Sequence, residues 1–311
     1  MVRMNCKSSG AHFHRITINS LRICFLIAFL CIMAGCQTVK LTKSFSASDV
    51  LPDTDSMYVK IPVESNKELC KTILNTYIVG LTEKNSSDLL DRSQYMYASV
   101  NFADNSINAA VVGDFPVFID MVFTKKNGWE TRKFEEKGRS IKYYESAMGF
   151  KVAVIQNSVM LVSSSDVQVL LRRLFTYEDE LYPEIREVTP DELNTEQNTI
   201  RSKKDILSSN GTEISFYTSQ AGLFIESIIG NVITLAADIA SGDFSKETEN
   251  VYVLDMAMTF TNKHALKPAL FLFKKAQPSG QIETEALSEL SMKCTGMNMD
   301  IKTIVSLLIG G

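Results

Sequence analysis

The chain has 311 residues, of which 45% are hydrophobic, with 32 Lys+Arg against 36 Asp+Glu. This acidic balance disfavours nucleic acid as a partner and adsorption to anionic lipid by charge, because both need a basic surface. The length is enough for one large domain or two small ones.

The first 35 residues have the form of a bacterial export signal. Four basic residues and no acidic ones precede an uncharged apolar run over residues 23–33, and small residues then lead to Cys36. A run of about eleven residues is too short to span a bilayer of about 30 Å, which favours cleavage over an uncleaved anchor. We therefore predict that residues 1–35 are a signal peptide.

The segment Met33-Ala34-Gly35-Cys36 resembles the lipobox of bacterial lipoproteins. The resemblance implies cleavage after Gly35 and acylation of Cys36 by a diacylglyceryl group and an N-acyl chain such as palmitate. Two or three acyl chains anchor a protein stably, so the domain should work at a membrane surface. Gln37 in the second mature position, by resemblance to lipoprotein sorting rules, favours the outer membrane.

Processing changes the charge and the cysteine content. Residues 36–311 carry 28 basic against 36 acidic residues, a net charge near −8, since four basic residues leave with the leader. Besides Cys36, this part of the chain contains only Cys70 and Cys294. These two could pair in an oxidising envelope, or each could be a buried free thiol.

The first half of the mature chain alternates strand and helix patterns after a polar tether over residues 36–55. An acidic stretch at residues 178–196 marks a linker, which we place at 178–210. The patterns predict strands at 57–63, 94–102, 107–113, 140–145, 150–156 and 158–163, a helix from 65 to 81, a short helix from 114, and a helix at 167–175.

The second half repeats this organisation. The patterns predict strands at 213–218, 251–260 and 266–273, a long helix at 221–240, and helices at 282–294 and 301–309. Residues 212–296 thus repeat the order strand, helix, strand, strand, helix of residues 57–126, which indicates an internal duplication with repeats at 56–177 and 211–311. We expect an α+β fold with an antiparallel-rich sheet, or two sheets, covered by amphipathic helices in an α/β/α arrangement.

Three predicted helices have broad apolar faces. They lie at residues 115–123, 221–240 and 301–309, and each could be buried in the core or could contact lipid. If they contact lipid, the expected lipid-facing residues are Phe118, Met121 and Val122 on the first helix, and Phe224, Ile228 and Val232 on the second.

With its acylated cysteine, related halves and amphipathic helices, the chain resembles the spirochaetal (treponemal) concealed outer-membrane lipoproteins. The resemblance covers residues 36–311, and the lipobox is its one specific motif. It implies an α/β/α domain whose helices insert into the inner leaflet of the outer membrane and bind lipid, on the periplasmic side. Phospholipid or glycolipid would be the ligand.

Catalysis is disfavoured by the residue inventory. His264 is the only histidine after residue 35, and the chain has no Gly-x-Ser-x-Gly, P-loop or Gly-x-Gly-x-x-Gly pattern. We therefore predict a protein that is not an enzyme and has no cofactor or metal.

A protein-binding lipoprotein, either an assembly subunit or an adhesin, is the alternative. Aromatic residues suited to an interface are Tyr95, Tyr97, Phe102, Trp129, Tyr143 and Tyr144, although aromatics in strands also pair across the sheet.

Overall fold

The structure is a computed structural model that describes residues 46–77, 82–179, 200–229, 235–276 and 282–309. Every described element lies in one compact unit, residues 41–311. The predicted signal peptide, Cys36, Val232 and most of the predicted acidic linker lie outside the described residues.

One antiparallel sheet of twelve strands organises the described residues. Its order is β11-β12-β10-β9-β8-β1-β2-β3-β7-β6-β5-β4, and this answers the question of one sheet or two. The strands are β1 Met57–Pro62, β2 Ser93–Asn101, β3 Ser106–Gly113, β4 Trp129–Glu136, β5 Arg139–Ser146, β6 Lys151–Ile155, β7 Val159–Ser163, β8 Ile214–Thr218, β9 Ala237–Lys246, β10 Val251–Phe260, β11 Glu283–Ala286 and β12 Ser291–Asp300.

Helices cover both faces of the sheet. Alternate residues of β1 show this, because Met57, Val59 and Ile61 join the main core while Tyr58 packs with Leu207 on the opposite face. The helices are α1 Lys67–Tyr77, α2 Glu83–Leu90, α3 Val167–Asp179, α4 Lys203–Ser208, α5 Ala221–Ile229, α6 Leu266–Ala276 and α7 Ile301–Ile309. The main core lies under α1, α5, α6 and α7, so the expected α+β class is confirmed.

The two halves of the chain meet at the centre of the sheet. Strand β1 pairs antiparallel with β8, with Met57 opposite Thr218. From this pair, β1, β2 and β3 follow one another in one direction, and β8, β9 and β10 do so in the other. In each half a helix follows the first strand, α1 after β1 and α5 after β8.

The predicted helix over residues 221–240 is wrong in its second part. Helix α5 ends at Ile229, and residues from Ala237 onward form β9, which pairs with both β8 and β10. Pairing on two sides outweighs the helical spacing of the apolar residues, which for short runs does not separate helix from strand.

Two further assignments are reversed. Residues 266–273, predicted as a strand, begin α6, in which Leu266, Ala269 and Phe273 are buried at helical spacing. Residues 282–294, predicted as a helix, contain β11 and the start of β12, where Met292 and Cys294 alternate into the core. Helix α2 and strand β4 were not expected, because charged residues obscure their patterns.

Candidate functional site

An open groove lies in the corner between the ends of three central strands, where β1 ends, β2 begins and β3 ends, and the segments beside them. Its volume is about 1220 Å³. We call it the corner groove. Its walls are the turn at Pro62–Lys67, the end of α2 with the start of β2, the segment from Asp114 to Asn127, and the loop before β8.

The 114–127 segment forms the apolar wall of this groove. Its underside is fixed to the core by Phe115, Ile119 and Phe123, which are all buried. The ring of Phe123 packs edge-on against Trp129, with centroids 4.9 Å apart, and stacks on Tyr144 at 5.1 Å. The spacing of four residues between the buried side chains allows the short turn Ile119–Val122 to lie flat on the sheet.

The upper side of the same segment is exposed and apolar. Val117, Phe118 and Met121 are 78%, 66% and 72% accessible to solvent. Three large apolar side chains held together in water are unfavourable unless they contact something else, so such a patch indicates an interaction site.

Polar contacts hold the segment in position. The buried hydroxyl of Tyr144 hydrogen-bonds the carboxylate of Asp120, and burial, more than this acid, raises the pKa of the tyrosine. The Nδ2 of Asn127 donates to the carbonyl of Val122 at 2.9 Å. The wall is therefore braced in its middle and at its C-terminal end.

A close backbone contact joins the groove's other walls. A Cβ atom at Gly113 would lie 2.3 Å from the carbonyl oxygen of Arg92. The amide of Asp114 donates to that same oxygen at 2.9 Å. Gly113 is therefore needed where the end of β3 meets the start of β2.

A second, apolar cavity lies directly behind the corner groove. Its volume is about 90 Å³, and it lies between the sheet and helices α1, α2 and α7. Leu89, Leu90 and Ser93 line both the groove and this cavity. The inner cavity is lined by Ile61, Val63, Ile73, Leu74, Leu89, Leu90, Ser93, Met96, Ala98, Ile107, Ala109, Val111, Phe150, Met160, Val162 and Leu308.

The structure separates the two sets of residues expected to face lipid. Phe118, Met121 and Val122 lie together on the groove wall. Phe224 is fully buried, with its ring 4.7 Å from that of Phe216, and Ile228 packs partly buried against the same core. Val232 lies outside the described residues.

Helix α7, the third apolar segment, belongs to the core. Its residues Ile301, Ile304, Val305, Leu307 and Leu308 are all buried.

The polar walls of the groove were not predicted from the sequence. Residues 88–95 and 210–212 are far apart in the chain, and no local pattern indicates that they lie together.

The aromatic residues considered for a protein interface are mostly internal. Trp129, Tyr143 and Tyr144 are buried. Tyr95 and Tyr97 pack around Lys60, whose Nζ lies 4.6 Å and 5.6 Å from their ring centroids.

Lys60 itself is buried on the helix α4 side of the sheet. Its ammonium donates a hydrogen bond to the carbonyl of Ser209, and burial lowers the pKa of the lysine. With aromatic and carbonyl partners, this lysine has a structural role at the sheet centre.

A charged cluster joins the segment before β1 to the same side of the sheet. The carboxylate of Asp53 contacts Arg173 of α3 at 2.7 Å and Lys203 of α4 at 2.9 Å. The hydrogen bond from Lys203 is the main cause that lowers the pKa of Asp53. These contacts fix the start of the domain on this side.

Two features of other protein classes are absent from the described residues. Every helix in those ranges falls short of the length and apolar composition that a membrane-spanning helix needs. Within the same part of the chain, no group of His, Cys, Asp and Glu is placed to hold a metal ion. Cys70 and Cys294 are free and buried, and burial raises the pKa of each thiol to about 12.

Comparisons with known proteins agree with the fold. The model of the family described as outer membrane-associated lipoprotein TP0453 matches residues 42–289. Two crystal forms of TP0453, I and III, superpose with TM-scores of 0.63 and 0.60 at 16% identity. Each match covers 86% of this chain and 98% or 99% of the other. No curated protein sequence matches significantly.

Proposed function

The chain belongs to the family of outer membrane-associated lipoproteins represented by TP0453, and we propose that its corner groove contacts and sequesters membrane lipid. In this proposal the protein is not an enzyme. It is anchored through acylated Cys36 at the periplasmic leaflet of the outer membrane, as the lipobox and Gln37 suggest.

The observation that supports lipid contact is the exposed patch of the 114–127 segment. Phe118 and Met121 point outward from a turn whose other side is fixed by Phe115, Ile119 and Phe123. A fixed apolar surface loses little conformational entropy when it enters an interface. It can therefore meet the acyl region of a bilayer without first ordering itself.

The inner cavity supports sequestration in addition to contact. It is almost entirely apolar and is separated from the groove by Leu89 and Leu90. At about 90 Å³, this space would hold only the tip of an acyl chain that had passed these residues, against a lining that is already aliphatic. Such a chain gains free energy of about 0.8 kcal/mol for each CH₂ group removed from water.

The anchor would hold the domain close to its ligand. Nine residues separate Cys36 from Ser46, where the described structure begins. At about 3.5 Å per residue, this segment can reach roughly 35 Å at most. Ser46 would then remain within this distance of the bilayer surface.

Flotation on liposomes tests this proposal. Residues 37–311, which lack the acylated cysteine, should float with vesicles of bacterial lipid composition. Flotation should persist at high salt, because salt screens charge attraction and not apolar contact. Failure to float would favour the alternative, in which the anchor is the only membrane contact and the protein binds a protein partner.

We also infer that the two halves arose by duplication. A strand, a helix and two further strands follow in this order on either side of the β1–β8 pair, with α2 as an additional helix in the first half. Close superposition of β1, α1, β2 and β3 on β8, α5, β9 and β10 would support this inference, and different helix positions would contradict it.

A further inference from the structure

We infer that the corner groove takes an uncharged, hydroxyl-rich lipid headgroup, as in a neutral glycolipid, in preference to an anionic phosphate headgroup. The inference rests on the lipid-binding function proposed above and concerns the same site. The walls of the groove, the end of α2 and the polar residues between them all support it.

The charges on the groove walls are mainly negative. Four carboxylates, those of Glu64, Asp88, Asp91 and Asp114, face two cations, Lys67 and Arg92. Lys67 is already paired with Asp91, with Nζ and Oδ1 2.9 Å apart. The groove therefore has a formal charge of −2 and presents Arg92 as its one cation without an ion pair among the described contacts.

The direction of α2 adds to this negative potential. The helix ends at Leu90, and its last residues together with Asp91 and Arg92 line the groove. The carbonyl end of a helix carries partial negative charge. A phosphate in the groove would thus approach the unfavourable end of the helix, whereas anion sites use the other end.

Uncharged hydrogen-bonding groups are plentiful on the same walls. Amides and hydroxyls that can donate and accept, as sugar hydroxyls do, come from Ser65, Asn85, Gln94, Asn210 and Thr212. The Ser93 hydroxyl and the Asn127 amide already donate to the carbonyls of Leu89 and Val122, at 2.8 Å and 2.9 Å. The carboxylates can also accept hydrogen bonds from sugar hydroxyls, which a phosphate without donors does not offer.

The apolar features fit the remaining parts of such a lipid. The rings of Tyr95 and Phe118 also line the groove and offer flat surfaces to the C–H face of a sugar. Leu89 and Leu90 then lead to the apolar cavity behind. Headgroup and chain would therefore lie in adjoining spaces of matching polarity.

Headgroup selectivity tests the inference directly. The probes are phosphatidylcholine vesicles that contain equal mole fractions of monogalactosyl diacylglycerol or of phosphatidylglycerol with the same acyl chains. Residues 37–311 should partition onto the galactolipid vesicles about tenfold more strongly at low salt. The repulsion free energy of two like charges a few ångströms apart in water corresponds to roughly this factor in affinity.

Charge reversal on the wall provides matched variants. Asp88→Lys and Glu64→Lys should each reduce this preference severalfold by strengthening binding to the anionic vesicles. Glu135→Lys makes the same charge change on the exposed edge strand β4, outside the groove, and should leave the preference unchanged.

Three results would overturn the inference. Equal or stronger partitioning onto phosphatidylglycerol by the unmodified chain would contradict the headgroup preference alone. A preference that responds to Glu135→Lys as much as to Asp88→Lys would show that net charge decides it, and not the groove. If neither vesicle is bound, lipid binding itself fails and the inference fails with it.

Discussion

Replacing Phe118 and Met121, the two most exposed apolar residues of the groove, with serine should weaken lipid binding strongly without unfolding the protein. Phe118 is 66% exposed, so roughly 130 Å² of its surface is available to lipid. At about 25 cal/mol per Å² this area is worth about 3 kcal/mol on transfer from water. Met121, 72% exposed, adds about 2 kcal/mol by the same reasoning.

These values are upper limits because side chains at a bilayer surface are only partly removed from water. If half of the transfer free energy is realised, the variant Phe118→Ser, Met121→Ser should partition about 100-fold less strongly. Its thermal midpoint should stay nearly constant, since exposed substitutions usually change the free energy of unfolding by about 0.5 kcal/mol or less.

Flotation of residues 37–311 at a series of lipid concentrations measures this loss. Phe271→Ser is the matched control, because Phe271 is also 66% exposed but lies on α6, outside the groove. The reasoning is refuted if the double variant is folded and floats like the parent. It is also refuted if Phe271→Ser loses binding to the same extent.

Four further predictions concern stability and the thiols. Phe224→Asp should unfold the protein, as a circular dichroism melt would show, because the ring is fully buried against Phe216. Even truncation of such a ring to alanine costs about 3–5 kcal/mol of stability. A folded variant would show that α5 leaves the core easily. Tyr252→Phe should raise the thermal midpoint by an amount equivalent to about 1 kcal/mol, because the buried tyrosine Oη has no hydrogen-bond partner among the described residues. A lower midpoint would reveal a partner that the hydroxyl needs. Asp53→Asn should destabilise the protein at pH 7 by less than about 1 kcal/mol, given the exposure of this ion pair. Since the pKa of Asp53 is lowered in the folded protein, its contribution to stability is present above the unfolded pKa near 3.9 and is lost as the pH falls through the folded pKa. The free energies of unfolding of the two proteins from urea melts should therefore converge at acid pH. A difference that stays constant with pH would contradict the assignment. Cys70 and Cys294 should react with a thiol reagent only after denaturation, because both are buried and burial raises their pKa to about 12; rapid labelling of the native protein would contradict this.

The sequence predicted the elements whose apolar spacing is unambiguous. Strands β1, β2, β3 and β10 were found near their predicted positions, because alternation or a dense apolar run marks each of them. Helices α3 and α7 were found for the corresponding reason at helical spacing.

The errors occurred where pairing partners decide the conformation. Residues 237–240 have apolar spacing compatible with a helix, yet β8 and β10 take them into the sheet. Strand β12 has a bulge at Gly296, whose φ of 78° interrupts the alternation from which a strand is recognised.

The candidate site was only partly accessible from the sequence. The apolar residues of the 114–127 segment stand out in the chain, and the three of them predicted to face lipid, Phe118, Met121 and Val122, line the groove. Which of those residues face outward depends on the packing of Phe115, Ile119 and Phe123, and this required the three-dimensional structure. The acidic and amide residues of the other walls come from three separate segments, so their convergence could not be inferred.

Site-specific photo-crosslinking tests the central claim most directly. A photoreactive amino acid would replace Met121 in the groove or, as a control, Met148, which is 55% exposed in the turn after β5 and does not line the groove. Irradiation of the anchored protein in its native membrane should give lipid adducts from position 121 and few from position 148. Adducts of position 121 with a single protein, or equal lipid adducts from both positions, would contradict the account.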